Sequence, residues 1–202
     1  MSEIPESQLP PRPTVLAQRL VAEVLEEGDL AIDATAGNGH DTVFLAGRVG
    51  SGGRVLSFDV QAAAVAAARA RVVAAGLDQR VRFHQQSHAL LAEHAAPGSV
   101  AAVMFNLGYL PGRDHAVTTT TAVTLVGLAG AVAVLKPGGV LAVVCYPGHD
   151  EGAREAAAVE DWFADLTNAG WRVVRYGAIG TRRPAPVLLF GIAPGGVARQ
   201  TH

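Results

Sequence analysis

Short apolar runs alternate with longer segments of helical periodicity along almost the whole chain. "DLAIDATA", "GRVLSFDV", "RVRFHQ", "SVAAVMFN" and "GGVLAVVCY" read as strands one to five. "HDTVFLAGRV" and the alanine-rich "QAAAVAAARARVVAAG" read as the helices between the first three, with Gly76 as the stop of the second. A shorter helix is expected around Ala89 to His94. A longer one is expected in the later part of "TTTTAVTLVGLAGAVAVLKPGG", its threonines placed to cap the start. "EGAREAAAVEDWFADLTNAG" is amphipathic, with Val159, Trp162, Phe163 and Leu166 on one face. From Pro13 to Glu27, Val15, Leu16, Leu20, Val24 and Leu25 recur at helical spacing, with Gly28 as the end. "WRVVRYGAI" and "APVLLFGIA", joined by a loop containing "GTRRP", close the chain as antiparallel neighbours. Alternation with strands apolar on both faces implies an α/β, Rossmann-like, doubly wound sheet of seven mostly parallel strands with an antiparallel C-terminal hairpin.

The chain has 202 residues, which suits one domain over residues 13–202 behind a polar, proline-rich tail at 1–12. That tail has neither the basic start nor the apolar stretch of a signal peptide, and no apolar run approaches the ~20 residues of a bilayer span. A cytoplasmic protein without a membrane partner is the expectation. The single Cys145 sits inside an apolar strand, which excludes an intrachain disulfide framework or cysteine metal site and argues against a nucleophilic role. A net charge of −2 argues against a strongly electrostatic nucleic-acid binder. A local basic face or a homodimer would offset it: Arg172, Arg175, Arg182, Arg183 and Arg199 gather near one terminus, Arg12 and Arg19 near the other. Their plainest reading is as solvated side chains. Seven histidines are present, but no H-E-x-x-H or carboxylate–histidine spacing, and no metal site is expected.

In a doubly wound sheet, ligands bind beyond the carboxyl ends of the strands. The first strand ends in "DATAGNGHD", Asp33 to Asp41, where Gly37 and Gly39 permit a tight turn ahead of a helix N-terminus. The loop lacks the third glycine of a dinucleotide fingerprint and the Gly-Lys-Ser/Thr of a P-loop. Asp59 ends the second strand, where a carboxylate accepts from both hydroxyls of a ribose. Ser87 and His88 follow the third strand, close to where an adenine would lie; for His88 a capping or surface role is an equal alternative. Together these features favour S-adenosylmethionine (SAM).

"DATAGNGHDTVFLA", "FDVQ", "SHALL", "MFNLGYLPGRDH" and "YPGHDEGAREAAAVEDW" occur in that order. In this the sequence, over roughly residues 14–193, resembles the rRNA methylase family of class I SAM-dependent methyltransferases. Within it, it is similar to the group that methylates the amine of 5-aminomethyl-2-thiouridine at the tRNA wobble position. The resemblance implies SAM contacts at Asn38, His40, Asp59, Gln61, Ser87 and His88. It also places Asn106 where amino-methylating relatives carry an Asn-Pro-Pro-Tyr type motif. Arg113 and His115 depart from the residues usual in the group.

For such chemistry the protein positions a neutral amine and excludes water. Asn106 would accept from the amine, Tyr109 would wall in the uracil, and Asp114 or His115 would take the proton or contact the substrate. Tyr109 reads equally as a core-capping aromatic and Asp114 as a helix cap. Tyr146 to His149, after strand five, would form the opposite wall, with His149 either contacting substrate or starting its helix. Arg182 and Arg183 would hold phosphates of the anticodon arm. The alternatives are methylation of an rRNA base or a small amine, and a non-catalytic SAM-binding module.

Overall fold

The computed structural model describes residues 10–108 and 120–195. Seven strands form one sheet in the order β3-β2-β1-β4-β5-β7-β6: β1 (Leu30–Asp33), β2 (Arg54–Phe58), β3 (Val81–His84), β4 (Val100–Leu107), β5 (Leu135–Cys145), β6 (Arg172–Gly177) and β7 (Val187–Ile192). The first five run parallel. β7 pairs antiparallel with β5, and β6 pairs antiparallel with β7. The expected architecture, including the terminal hairpin, is the one observed. β1, β4, β5 and β7 are buried nearly throughout, whereas β3 and β6 form the edges and are only partly covered.

Helices cover both faces. α1 (Pro13–Ala22) and α2 (His40–Arg48) pack Ala17, Val21, Leu45 and Ala46 against Ala31, Val55, Met104 and Val144. α3 (Ala62–Ala74) continues that layer against α2 and β3. On the other face, α4 (Thr121–Val134) and α5 (Asp150–Leu166) bring Leu128, Ala131, Val159 and Phe163 onto Ile32, Val103, Phe105 and Val143. Removing the Phe163 ring to Ala would cost about 3–5 kcal/mol, because a side chain with 1% exposure leaves a cavity. The Thr120 hydroxyl caps α4 by accepting from the Val123 N–H, as the threonine run implies.

Two boundaries differ from the sequence reading. α1 stops at Ala22 rather than reaching Glu27, because the N–H groups of Val24 and Leu25 both turn back to the Val21 carbonyl. Glu23, Glu26 and Glu27 would otherwise crowd the negative end of the helix. Its buried stripe is also shifted: Ala17 and Val21 face the sheet, and Val15 is 41% exposed. β5 begins at Leu135, before the predicted Gly138, and its pairing with β4 slips between Val100 and Ala102 to accommodate the Pro137–Gly138 turn.

The order of parallel strands reverses between β1 and β4, and the next helices, α2 and α4, lie on opposite faces, which is where such a sheet opens a crevice. The antiparallel register pairs Cys145 with Val187 and Gly177 with Val187. The loop between β6 and β7 therefore lies on the same carboxyl edge as that crevice.

Candidate active site

The loop after β1 is built from beneath. Asp33 is fully buried, its carboxylate accepting from the Thr42 hydroxyl at 2.5 Å and the Thr35 N–H at 3.1 Å. Thr42 also meets the Ser57 hydroxyl of β2 at 3.0 Å. Burial, then the charge of Asp41, pushes Asp33 up to about 7. With no exposed surface, Asp33 fixes the loop and contributes its field. The loop then crosses to β2: the Ala36 N–H donates to the Phe58 carbonyl at 2.7 Å and the Gly37 N–H to Asp59 Oδ2 at 3.0 Å. The Gln61 N–H donates to Asp59 Oδ1 at 2.9 Å. Two main-chain donors thus aim a half-exposed carboxylate that keeps lone pairs for a ligand.

Gly39 has φ +81°, and a Cβ there would stand 2.7 Å from the Ala68 backbone. Only glycine lets the loop lie this close to α3. Arg71 of α3 donates to the Asn38 carbonyl at 2.7 Å, while the His40 side chain faces solvent at the start of α2.

Asp41, on the first turn of α2, is 9% exposed. Gln18 of α1 donates to its Oδ1 at 2.7 Å. Burial raises its pKa; hydrogen bonds from Gln18 and the Asn106 side chain, and the nearby His40, work the other way. Asn106, half-buried in β4, donates its N–H to the Thr35 hydroxyl at 2.7 Å, and its amide also meets Tyr146. Tyr146 leans over Gly108, where a Cβ would come within 2.8 Å of the ring. Burial and Asp41 raise the Tyr146 phenol. Asp33, the glycine loop, Asp41, Asp59, Gln61 and Asn106 are therefore gathered at the carboxyl ends of β1, β2 and β4.

Ser87, His88 and His149 have the following surroundings. The Ser87 hydroxyl accepts from the Ala89 N–H and starts a 3-10 turn, His88–Glu93. His88 is 4% exposed, edge-on to Phe105 and against Gly127 of α4, and its Nε2 has no hydrogen-bond partner among the described residues. Burial pushes it down to about 4. It takes neither of its two expected alternatives, a helix cap or a surface position. His149 is the N-cap of α5, its Nδ1 accepting from the Gly152 N–H at 3.0 Å, so its helix-starting alternative is observed. Tyr109, Asp114 and His115 lie outside the described residues. Among the described residues no three histidine, cysteine or carboxylate side chains gather as a metal site. No helix among them is long and apolar enough to cross a membrane.

Gln18, Thr35, Thr42, Ser57 and the Tyr146–Asn106 contact escaped the sequence reading. Thr35 carries a weak signal, since it lies two residues after the strand-end Asp33. Gln18 carries none, because its role depends on how α1 lies across α2.

The donor set suits SAM. A buried carboxylate at the end of β1 and a half-exposed one after β2 match a cationic ligand bearing ribose hydroxyls, and the Gly37–Gly39 cradle admits close backbone approach. With the 3-2-1-4-5-7-6 sheet, these features define a class I SAM-dependent methyltransferase. The chain belongs to the family described as "Putative rRNA methylase", whose model matches residues 55–191. It is 33% identical over 186 residues to the Arabidopsis thaliana chloroplastic tRNA (mnm(5)s(2)U34)-methyltransferase, covering 88% of this chain and 68% of that protein. A Clostridium thermocellum structure described as a "putative rRNA-methylase" superposes with a TM-score of 0.86 at 34% identity, over 91% of this chain and 98% of that one. A Streptococcus mutans methyltransferase solved in complex with SAH does so with a TM-score of 0.82 at 30% identity, over 91% and 99%.

Proposed function

We propose that this enzyme transfers the methyl group of SAM to the amine of a 5-aminomethyl group on uridine, or 2-thiouridine, at the tRNA wobble position. The observation that carries the reading is the hold of the Thr35 hydroxyl on the backbone of Asn106 near the tip of β4, with Asp41 close enough for the Asn106 amide to favour its charge. An ionised carboxylate only accepts hydrogen bonds, so the Asn106 NH2 is turned toward Asp41. Its carbonyl oxygen remains to accept one hydrogen of a substrate amine and direct the nitrogen lone pair. The similarity to the plant tRNA methyltransferase supports the same substrate class.

SAM supplies a methyl carbon on a sulfonium, with a neutral thioether as the leaving group. The chain's own residues bind, orient and exclude water. Asp59 is set to take ribose hydroxyls, and Asp33 and Asp41 supply negative potential for a cation. Asn106 and Tyr146 line the side at which an amine would enter. The new N–C bond forms as the C–S bond breaks, and the methylated ammonium then loses a proton to solvent. An alkyl amine with a pKa around 10 must be held neutral at the moment of transfer, which exclusion of water from the crevice would favour. Arg182 and Arg183 are exposed on the β6–β7 loop at the same edge, and on this reading they would hold phosphates of an anticodon arm.

The test is transfer of labelled methyl from SAM to two tRNA pools, one carrying the 5-aminomethyl wobble base and one lacking it, with nucleoside mass analysis. Label on the aminomethyl group of the first pool alone is expected. Label in neither pool, with SAM binding intact, overturns the substrate assignment and directs attention to rRNA and small amines.

A further inference from the structure

We infer that Gln18, on the N-terminal helix, is a positioning residue for methyl transfer that acts through Asp41 to fix which way round the Asn106 amide stands. Gln18 is half-buried on a helix whose inward residues are otherwise apolar, Ala17 and Val21. Its Nε2 spans 23 residues of sequence to donate to Asp41 Oδ1 at 2.7 Å. The Asn106 amide lies beside the same carboxylate and favours its charge. A nearly buried carboxylate with two donors stays ionised more readily than one with a single donor.

The ionisation state decides the polarity of Asn106. Against a carboxylate, the amide must present NH2 and leave its carbonyl for the substrate. Against a protonated Asp41, the carboxyl O–H becomes a donor that the amide carbonyl can accept. The amide then turns over and offers NH2 to the substrate nitrogen, a donor facing the atom that must stay nucleophilic. Other groups facing Asp41 push both ways. His40 on α2 favours its charge, whereas the Asp33 carboxylate on β1 opposes it, and the Tyr146 phenol just after β5 lies within its field. Burial is the largest influence and favours protonation. Gln18 is the donor outside the strand ends that offsets it.

The test uses the full chain with Gln18→Met, which keeps length and packing but removes the donor, and Gln18→Glu, which adds a competing carboxylate. Asp41 is titrated through its carboxyl 13C shift in the free protein, and kcat is measured against pH on 5-aminomethyl tRNA. The activity half rests on the substrate assignment above; the titration half does not. Asp41 should titrate at higher pH in Met than in wild type, and higher again in Glu. The acid limb of kcat should move the same way. At neutral pH kcat should fall about tenfold in the Met variant, with SAM affinity within about twofold. An unchanged Asp41 titration, or a loss of kcat that is uniform across pH and tracks a lower melting temperature, overturns the inference. Wild-type enzyme silent on this tRNA would overturn the substrate assignment instead, and the carboxyl titration would still decide the role of Gln18.

Discussion

The Thr35 hydroxyl accepts the backbone N–H of Asn106 at 2.7 Å, a bond between residues 71 apart in sequence that ties the β1 loop to the tip of β4. The β1 glycine loop and the residue proposed to meet the substrate are thereby one unit. Thr35→Val keeps the shape and removes the acceptor, leaving a part-buried N–H without a partner. We expect a loss of about 1–2 kcal/mol in stability by chemical denaturation and a fall in kcat of about tenfold. Thr35→Ser should restore both, since the hydroxyl is what matters.

Asp59 holds its place through the N–H groups of Gly37 and Gln61. Asp59→Asn retains one acceptor oxygen but loses the charge and replaces the other acceptor with a donor. Affinity for SAM by calorimetry should fall about tenfold or more, the scale of a charge-assisted hydrogen bond. Methyl transfer at saturating SAM should change less than KM for SAM. An effect confined to kcat would place Asp59 away from the ribose.

Asp33 and His88 give the fold opposite pH dependences. The Asp33 pKa is raised to about 7, so the folded state holds a proton that the unfolded chain releases near pH 4, and its contribution weakens as pH rises from about 4 to about 7. The His88 pKa is lowered to about 4, so the unfolded chain binds the proton first, and stability is lost as pH falls from about 6.5 to about 4. His88→Leu should flatten the acid side of the melting-temperature profile, and Asp33→Asn the side approaching neutrality. A His88→Leu profile that still falls as steeply below pH 6.5 would assign the acid sensitivity elsewhere.

Proton linkage should also appear on binding. A cation seated over the acids favours the ionised form of Asp33, and a group near pH 7 then gives up a proton. Calorimetry of SAM binding near pH 7, in buffers of different ionisation enthalpy, should show proton release. In Asp33→Asn the release should diminish.

Much of this was legible in the sequence because its strongest signals are local. Alternating strands and helices fixed the sheet class, and Asp33, the Gly37–Gly39 turn, Asp59 and Asn106 could be placed because each ends or follows a strand. What escaped depends on packing between distant elements. Gln18 looks like any polar helix residue until α1 lies across α2. His88 sits in a stretch that reads as a surface turn, yet the small Gly127 lets α4 close over it. The end of α1 was misplaced because Val24 and Leu25 continue the apolar period, and Leu25 is indeed buried, but from a turn rather than a helix.

The register of the terminal hairpin puts Arg182 and Arg183 on the carboxyl edge, the edge at which the proposed RNA substrate would present its base. Both are exposed, and neither forms an ion pair among the described residues, whereas Arg175 is held by Glu160 at 3.0 Å. If the pair contacts phosphates, each releases counterions on binding, with a slope of log K against log salt of about −0.7 to −0.9 per contact. Arg182→Ala with Arg183→Ala should weaken tRNA binding and make that slope shallower by about 1.5. Melting temperature and SAM affinity should stay near wild type, because the side chains are solvent-facing. The control is Arg175→Ala, whose guanidinium is already paired and which should alter the slope least. Equal salt slopes in wild type and the double variant would place the RNA path on another face.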